Sequence, residues 1–506
     1  MSVPLATLLA ATTVTATNTD PQTRVESLCC DSRKAAPGAL FFALRGEKAD
    51  GSQFAAQAAE LGATAIVSDA ALAACARPSI QVPDARAAMA DMAGAFFGHP
   101  SAALKVMGVT GTNGKTTTAF LVKHLLDADH RRCGLIGTVK YCIGDTEIEA
   151  PRTTPESIDL QRMLAEMVAA GSKAVAMEVS SHALVQHRAR GITFDAAVFT
   201  NLTQDHLDYH RTMDAYFAAK ALLFENAAAQ KGKKCRAIIN IDDRFGRRLE
   251  ERFAKKLTVI RYGLGANADF RATDIRFDAT GSTFHLTAKG RSYLVRMPLI
   301  GSFNIYNTLA ALASASTMGM ELRAAVAAMA AAPQVPGRLE RVPAKRNFQV
   351  FVDYAHTDDA LRNVLRTLRE LKPSRLITVF GCGGDRDRAK RPLMGAAAEE
   401  YSDWSILTSD NPRTEDPLRI LADVRAGFRG SQHQEIPDRA EAIRQAVQLA
   451  DTGDIVLIAG KGHEAYQEFA DRKAPFSDVS AARRAIEEKR VEITEPEARR
   501  PARGPG

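Results

Sequence analysis

The chain has 506 residues, 46% hydrophobic and 25% charged, with a formal net charge of +7. At roughly 150 residues per domain this length points to about three domains and excludes a small stapled scaffold. The positive excess is mild and partly concentrated in Arg499, Arg500 and Arg503; it leaves no nucleic-acid footprint and suits an anionic small substrate.

In chain order, Ala39–Leu44 and Ala63–Ser68 predict strands with a helix over Gly51–Gly62 between them, a βαβ-like pattern. Gly98-His99-Pro100-Ser101 interrupts it, and a new strand opens at Leu104. Lys105–Thr110 predicts a strand, followed by a Gly-rich turn and a helix over Thr116–Leu126. Further strands are predicted at Ala174–Val179, Ala196–Thr200, Ala237–Ile241 and Leu257–Tyr262. A β-rich stretch follows over Asp269–Leu299, alternating in Ser282–Ala288, and then a helix from Asn304 to Met320. Ala331–Arg338 carries two prolines and a glycine and reads as a hinge. A third α/β segment opens at Phe348–Asp353, with strands recurring at Leu376–Phe380, Trp404–Thr408 and Ile455–Ala459. The Pro/Arg/Gly-rich tail after Thr494 has the composition of a disordered segment. The expected fold class is α/β in three domains, 1–103, 104–335 and 336–493, followed by the tail 494–506. The central one is a P-loop parallel-sheet domain and the C-terminal one is Rossmann-like.

The cysteines are Cys29, Cys30, Cys75, Cys133, Cys142, Cys235 and Cys382, an odd number with no C-x-x-C spacing. That argues against a disulfide framework or a zinc ribbon and for a reducing compartment. The uncharged stretch Met297–Met320 contains Asn304, Asn307 and several Ser and Thr, which favours the opening of a soluble helix over a membrane span. The N-terminal residues lack a basic region ahead of an apolar one, so no secretory signal is expected and a cytoplasmic location is.

The strongest chemical signal is Gly111-Thr112-Asn113-Gly114-Lys115-Thr116-Thr117, between an apolar strand and a helix. Glycines let backbone N–H groups turn around phosphate oxygens, and the helix N-terminus adds positive potential. Lys115 is expected to reach the β/γ-phosphates and Thr116 to hold Mg²⁺. The strict Walker pattern has glycine where this chain has Val109. Three more stretches follow predicted strands, where ligand sites of open α/β sheets lie. They are Glu178-Val179-Ser180-Ser181-His182, the polar run Thr200–His210, and Asp353-Tyr354-Ala355-His356-Thr357. Read alone, Glu178 is a strand-terminal carboxylate able to bind Mg²⁺, and the last stretch is also a helix N-cap.

Together with Gly301–Asn307 and Pro336–Glu340, these stretches resemble, in order and over nearly the whole chain, the Mur ligase family. These ATP-dependent enzymes extend the cell-wall precursor peptide. The resemblance implies that a substrate carboxylate attacks the γ-phosphate of ATP, and that an incoming amine displaces phosphate from the acyl phosphate. It implies Lys115, Glu178, His206 and Lys220 as catalytic residues, with Thr116, Glu178, His206 and Lys220 around Mg²⁺, Lys220 as a CO2-derived carbamate. It implies Gly111–Thr117, Asn304, Arg338 and Asp353 as ATP-binding residues, completed by closure of the third domain.

Cys29–Arg33 followed by Gly38–Leu44 resembles the uridine-binding domain of the third and fourth ligases of the family. The implied contacts to a UDP-N-acetylmuramoyl dipeptide are Cys30, Ser32, Glu47, Lys48, Ala49, Thr153, Thr154, Ser180, Gln186 and Arg188. Glu47 and Lys48 depart from the family's His-Gln pattern at that point. Asp410-Asn411-Pro412-Arg413 resembles the signature of members that add meso-2,6-diaminopimelate. That amino acid has a second carboxylate that lysine lacks, which Arg413 can grip bidentately. Arg391 is the expected second cation, and Gly460 and Glu464 the contacts to the distal head, Glu464 taking its ammonium. No nucleic-acid or stable membrane partner is expected, and the chain is expected to be a monomer. The alternatives are a lysine- or D-alanyl-D-alanine-adding ligase, a folate polyglutamate synthetase, and a P-loop switch or motor. The first conflicts with Arg413, the second needs no uridine-like domain, and the third needs no Arg391/Arg413/Glu464 set.

Overall fold

The computed structural model describes residues 2–46, 50–72, 77–205, 207–344 and 347–498. The chain folds as two compact units. The first holds the residues up to Leu202, His210–Arg271 and Thr308–Ala325; the second holds Thr203–Tyr209, Ala272–Asn307 and the chain from Val326 on.

Besides the short antiparallel pair Val3–Pro4 and Arg24–Val25, the described residues of the first unit form two larger sheets. The N-terminal one orders its strands Ala16–Thr17, Ser79–Gln81, Ala65–Ser68, Ala39–Ala43 and Ser27–Cys29. All neighbours are parallel except the first pair. Alternate residues face opposite ways, as the strand period of two requires. Leu40, Phe42 and Val67 pack with Met89, Met92 and Phe96 of the Ala85–Phe96 helix. Phe41 and Ile66 pack with Ala55, Ala58 and Ala59 on the other side. The helix predicted over Gly51–Gly62 begins as a 3-10 turn, Gly51–Phe54, and is α-helical only over Ala55–Glu60.

Within this unit the second of these runs Thr146–Glu149, Lys140–Ile143, Cys133–Ile136, Ala174–Glu178, Lys105–Thr110, Ala196–Phe199, Arg236–Asn240 and Thr258–Gly263; the first two strands are antiparallel to their neighbours and the other six are parallel to one another. The Lys105–Thr110 strand lies in its middle and delivers the Gly-rich turn at its carboxyl end, where the Lys115–Ala128 helix starts. Such strands read as nearly continuous apolar runs because both faces are covered.

In the second unit, Gly281–Ala288 and Arg291–Met297 form a hairpin whose Ser282, Phe284, Leu286 and Ala288 are buried in alternation. The six-stranded sheet orders Glu340–Val342, Gln349–Asp353, Ile455–Ala459, Leu376–Phe380, Trp404–Leu407 and His433–Glu435. Only the Glu340–Val342 strand is antiparallel to its neighbour. Phe351, Phe380 and Leu457 pack on the Asp358–Glu370, Lys390–Tyr401 and Pro417–Arg425 helices. Val350, Val352 and Ile458 pack on Ile443, Val447, Ala482 and Ile486 of two others. The last helix runs from Asp478 to Ala498, past the point where the sequence predicts the tail to begin. Residues 499–506 lie outside the described residues.

The helix predicted over Asn304–Met320 spans Ser302–Thr317. No helix among the described residues is long and apolar enough to cross a membrane. Every described cysteine is a free thiol.

Candidate functional site

The Gly-rich turn is shaped by its neighbours. Gly111 has φ +151°, and a Cβ there would stand 1.9 Å from Thr200 Oγ1. Gly114, at φ +87°, ends the turn. Asn201 secures it from the next strand end, accepting from Asn113 N–H at 2.9 Å while its amide donates to Asn113 O at 3.2 Å. Thr200 Oγ1 also donates to Asn113 O, at 2.6 Å. Lys115 Nζ folds over the loop, donating to Gly111 O at 3.0 Å and Thr112 O at 2.8 Å. The polar run after Phe199 therefore serves this turn through Thr200 and Asn201. Thr203–Tyr209 belong to the second unit, and His206 lies outside the described residues.

Glu178 ends the strand beside the turn and is buried. Its Oε2 accepts from Thr116 Oγ1 at 3.1 Å. Thr138 grips it twice, with N–H to Oε1 at 2.8 Å and Oγ1 to Oε2 at 3.1 Å. A Cβ on Gly137 would lie 2.4 Å from Glu178 Oε1, so the turn before Thr138 has no room for a side chain. Thr138 carries no recognisable signal in the sequence; its role exists only because the Cys133–Ile136 strand lies beside Ala174–Glu178. The Thr116 hydroxyl and the Glu178 carboxylate are hard oxygen donors of the kind Mg²⁺ takes. Among the described residues no group of three or more His, Cys, Asp or Glu is placed to hold a metal ion. Lys220, on the Met213–Ala229 helix, is buried. Its Nζ donates to Gly111 O at 2.7 Å and lies 4.3 Å from the centre of the Tyr216 ring, which stacks on His210.

Thr153, Thr154, Ser180, Gln186 and Arg188 come together. Thr154 Oγ1 bridges Glu178 O and Ser180 N–H at 2.9 and 3.1 Å. Arg188 donates to Thr154 O at 3.0 Å and Gln186 Oε1 at 2.6 Å, and pairs with Glu156 at 3.1 Å. Thr153 meets Thr138 at 3.1 Å. Burial, with Glu156 adding to it, pushes the Cys30 thiol up to about 11, so this residue is a neutral group. Ser32 is buried with its hydroxyl donated to Gln57 Oε1 at 2.7 Å. Glu47, Lys48 and Ala49 lie outside the described residues.

In the second unit two strand ends converge. Asp353 ends its strand with both oxygens taken by backbone, Leu339 N–H at 2.6 Å and Ala355 N–H at 2.8 Å. Burial pushes its carboxyl up to about 6, against the pull of Arg338 and those two donors. Arg338 lies over the Tyr354 ring at 4.7 Å, and Tyr354 meets His463 at 5.2 Å. A Cβ on Gly337 would stand 2.2 Å from His463 N, so the 336–340 turn lies directly on the Gly460–Glu464 turn. Asn304 is buried, donating to Ile300 O at 2.9 Å and accepting from Asn307 at 3.0 Å.

Asp410–Arg413 follows the Trp404–Leu407 strand. Asp410 Oδ2 would stand 2.6 Å from a Cβ on Gly460, which has φ +115°. Lys461 is fully buried, and its Nζ donates to Asn411 Oδ1 at 2.9 Å and Glu464 Oε2 at 2.8 Å. Asn411 in turn donates to Glu464 Oε2 at 2.9 Å. Arg413 takes a left-handed φ of +51°, donates from Nη1 to Gly384 O at 2.7 Å and pairs through Nε with Glu468 at 3.1 Å. Arg391, the expected second cation, sits differently from Arg413. It is fully buried, with its fork on Glu415 at 2.8 Å and Asp423 at 2.8 Å. The reason is its place on the inner face of the Lys390–Tyr401 helix, where only a paired guanidinium is tolerated. Arg386, unremarked in the sequence, is exposed, and its Cγ would lie 3.7 Å from a Cβ on Gly383. The alternating charges of Asp385-Arg386-Asp387-Arg388 are the signal that marks it.

Family models match three stretches: "Mur ligase family, catalytic domain" over residues 24–97, "Mur ligase middle domain" over 109–315, and "Mur ligase, glutamate ligase domain" over 337–462. A protein of Solibacter usitatus named UDP-N-acetylmuramoyl-L-alanyl-D-glutamate–2,6-diaminopimelate ligase is 47% identical, covering 92% of this chain and 94% of its own. A protein of the same name from Geobacillus kaustophilus is 47% identical over 92% of this chain and 95% of its own. A solved structure of a ligase of that name superposes with a TM-score of 0.70 at 36% identity, covering 97% of this chain and all of the other.

Proposed function

This chain belongs to the Mur ligase family, and from that premise we propose that it joins meso-2,6-diaminopimelate to UDP-N-acetylmuramoyl-L-alanyl-D-glutamate, using ATP. The observation that carries the reading is the pairing at the Asp410–Arg413 turn. Asn411 links a carboxylate, Glu464, to the same turn that presents a guanidinium, Arg413. A zwitterionic amino-acid head requires one group of each sign side by side; the distal end of lysine offers only an ammonium.

The reaction runs in two steps. The dipeptide's terminal carboxylate attacks the γ-phosphorus of ATP and releases ADP. The amino group of diaminopimelate then attacks the acyl phosphate, loses a proton and expels inorganic phosphate. Both steps bring anions together, so fixed positive charge and alignment supply most of the rate. Lys115 and the N–H groups of Gly111–Thr117 neutralise the phosphates. Thr116 and Glu178, with His206 and Lys220 as its carbamate, would hold Mg²⁺, which would supply Lewis-acid polarisation of the phosphoryl oxygens. Thr138 keeps Glu178 turned towards Thr116. Cys30, Ser32 and Glu47–Ala49 contact the uridine end of the precursor, and Thr153, Thr154, Ser180, Gln186 and Arg188 its middle, Arg188 supplying the planar cation. Asn304, Arg338 and Asp353 serve the nucleotide, with Arg338 braced on Tyr354. Arg413, with Arg391 as the second cation, takes the second carboxylate, and Asp410, Glu464 and the Gly460 backbone take the ammonium. The assignment is to domains 1–103, 104–335 and 336–493 of a cytoplasmic monomer.

The test is phosphate release with ATP, Mg²⁺ and the UDP-linked dipeptide, offering meso-diaminopimelate or L-lysine in parallel. Release with diaminopimelate alone is expected. Release with lysine would keep the ligase and refute the role of Arg413; release with neither would refute the acceptor.

A further inference from the structure

We propose that Glu468 is a positioning residue that sets specificity for the substrate's second carboxylate, by holding Arg413 along its Nε edge so that the Nη end is presented to the ligand. The inference rests on the amino-acid-binding reading of the Asp410–Arg413 turn.

Glu468 ends the Tyr466–Glu468 strand, which pairs with Lys473–Pro475. Its backbone is tied to the turn on both sides. Its N–H donates to Asn411 Oδ1 at 3.0 Å, and its carbonyl accepts from Arg413 N–H at 3.0 Å. The side chain therefore projects from a fixed point, and its Oε2 accepts from Arg413 Nε at 3.1 Å. On the opposite side Arg413 Nη1 donates to Gly384 O at 2.7 Å and would lie 3.1 Å from a Cβ on Gly383, so the guanidinium lies close against a glycine pair. One donor edge is thus taken by Glu468 and one proton by Gly384. Arg413 Nη2 has no hydrogen-bond partner among the described residues, and the side chain keeps 23% of its exposure. What remains is the end-on fork that a carboxylate binds with two parallel bonds.

A carboxylate beside Arg413 also competes with the substrate for its charge. Lys473 offsets this. It is the cross-strand partner of Glu468, its Nζ lies 3.7 Å from Glu468 Oε1, and it is braced at 4.6 Å from the centre of the Tyr466 ring. The trio keeps a net positive charge. Arg413 is also held in a left-handed backbone conformation, which non-glycine residues adopt only when neighbours enforce it. The Glu468–Phe469 backbone does so through Arg413 N–H and the bridge between Arg413 and Phe469.

The experiment compares the full-length enzyme with Glu468→Ala and Glu468→Gln, measuring KM for ATP and for meso-diaminopimelate, and the rate with L-lysine at high concentration. In Glu468→Ala, KM for diaminopimelate is expected to rise about tenfold or more, the size of a lost hydrogen bond to a charged group. KM for ATP and the lysine rate should stay unmoved, so discrimination falls. Glu468→Gln keeps an oxygen for Nε and should recover most of the loss. A KM for diaminopimelate that is unchanged or lower in Glu468→Ala overturns the proposal, the lower value marking Glu468 as a competitor. Equal rises for ATP and diaminopimelate overturn it too, since a merely structural role acts on both. Failure of the unsubstituted enzyme to use diaminopimelate would sink the underlying reading, and this one with it, whereas turnover by that enzyme with an unmoved KM in Glu468→Ala sinks this one alone.

Discussion

Thr200 Oγ1 stands where any side chain on Gly111 would have to go, 1.9 Å from an ideal Cβ. The same hydroxyl donates to Asn113 O at 2.6 Å, so it cannot swing away without releasing the loop. Gly111→Ala should therefore displace the phosphate loop and lower ATP turnover by about a hundredfold, the scale expected of a misplacement of order 1 Å. Circular dichroism should show the fold intact. Turnover within a factor of about three of the parent would mean that the loop does not hold phosphate in this shape.

Thr138 supplies two of the hydrogen bonds that orient Glu178. Thr138→Val removes the hydroxyl and keeps both the backbone donor and the β-branched shape. The Mg²⁺ concentration for half-maximal rate should rise about tenfold, the low end for losing a partner of a metal-binding group. An unchanged Mg²⁺ requirement would separate Glu178 from the metal.

Arg391 and Arg413 should fail in different ways. Arg413→Ala should raise KM for diaminopimelate by the equivalent of about 2–5 kcal/mol and leave KM for ATP almost alone. Arg391→Ala removes a buried guanidinium from Glu415 and Asp423. It should cost about 3 kcal/mol of stability, the low end for breaking a buried pair because Asp423 is still half hydrated. Urea midpoints and KM values measured on both variants decide this. A KM effect from Arg391 without loss of stability would mean that it acts on the ligand and not through its buried pairs.

Two carboxyls in the second unit give stability opposite pH slopes. Asp353 is raised from 3.8 to about 6 by burial. A raised carboxyl favours the folded state while neutral, so its contribution is fully present below about pH 4 and is lost as pH climbs towards 6. Glu415 is lowered from 4.5 to about 2, chiefly by the Arg391 hydrogen bond. Its contribution is fully present above about pH 4.5 and is lost as pH falls towards 2. Asp353→Asn should flatten the stability profile between about pH 4 and 6, and Glu415→Gln the acid limb below about pH 4.5. Denaturant midpoints across that range are the measurement, and slopes unchanged by either substitution would contradict the assignment.

Local signals carry through the chain. The strand before Gly111, the helix after it, the alternation in Ser282–Ala288 and the apolar runs at Ile455–Ala459 depend on neighbours a few residues apart, where period and turn chemistry act. The phosphate loop, Glu178 and the Asp410–Arg413 turn are legible for that reason, as strand ends with polar or glycine residues attached. The division into compact units is not. The Gly281–Met297 hairpin, read with the central segment from sequence, lies in the stretch Ala272–Asn307 that groups with the second unit, a grouping set by contacts between residues far apart in the chain.

The sequence by itself determined which residues have the right chemistry, and where turns, strands and helices begin. Only the tertiary structure decided which of those residues are free to use it. Arg391 and Arg413 are both arginines in polar stretches of the third segment, but one ends on an inner helix face with two carboxylates and the other beside a glycine pair with one edge open. Thr138 and Glu178 are forty residues apart in the chain and meet through parallel pairing of their strands. Such partnerships follow from sheet order, which is set by the burial of whole elements and leaves no mark on the residues that happen to face one another.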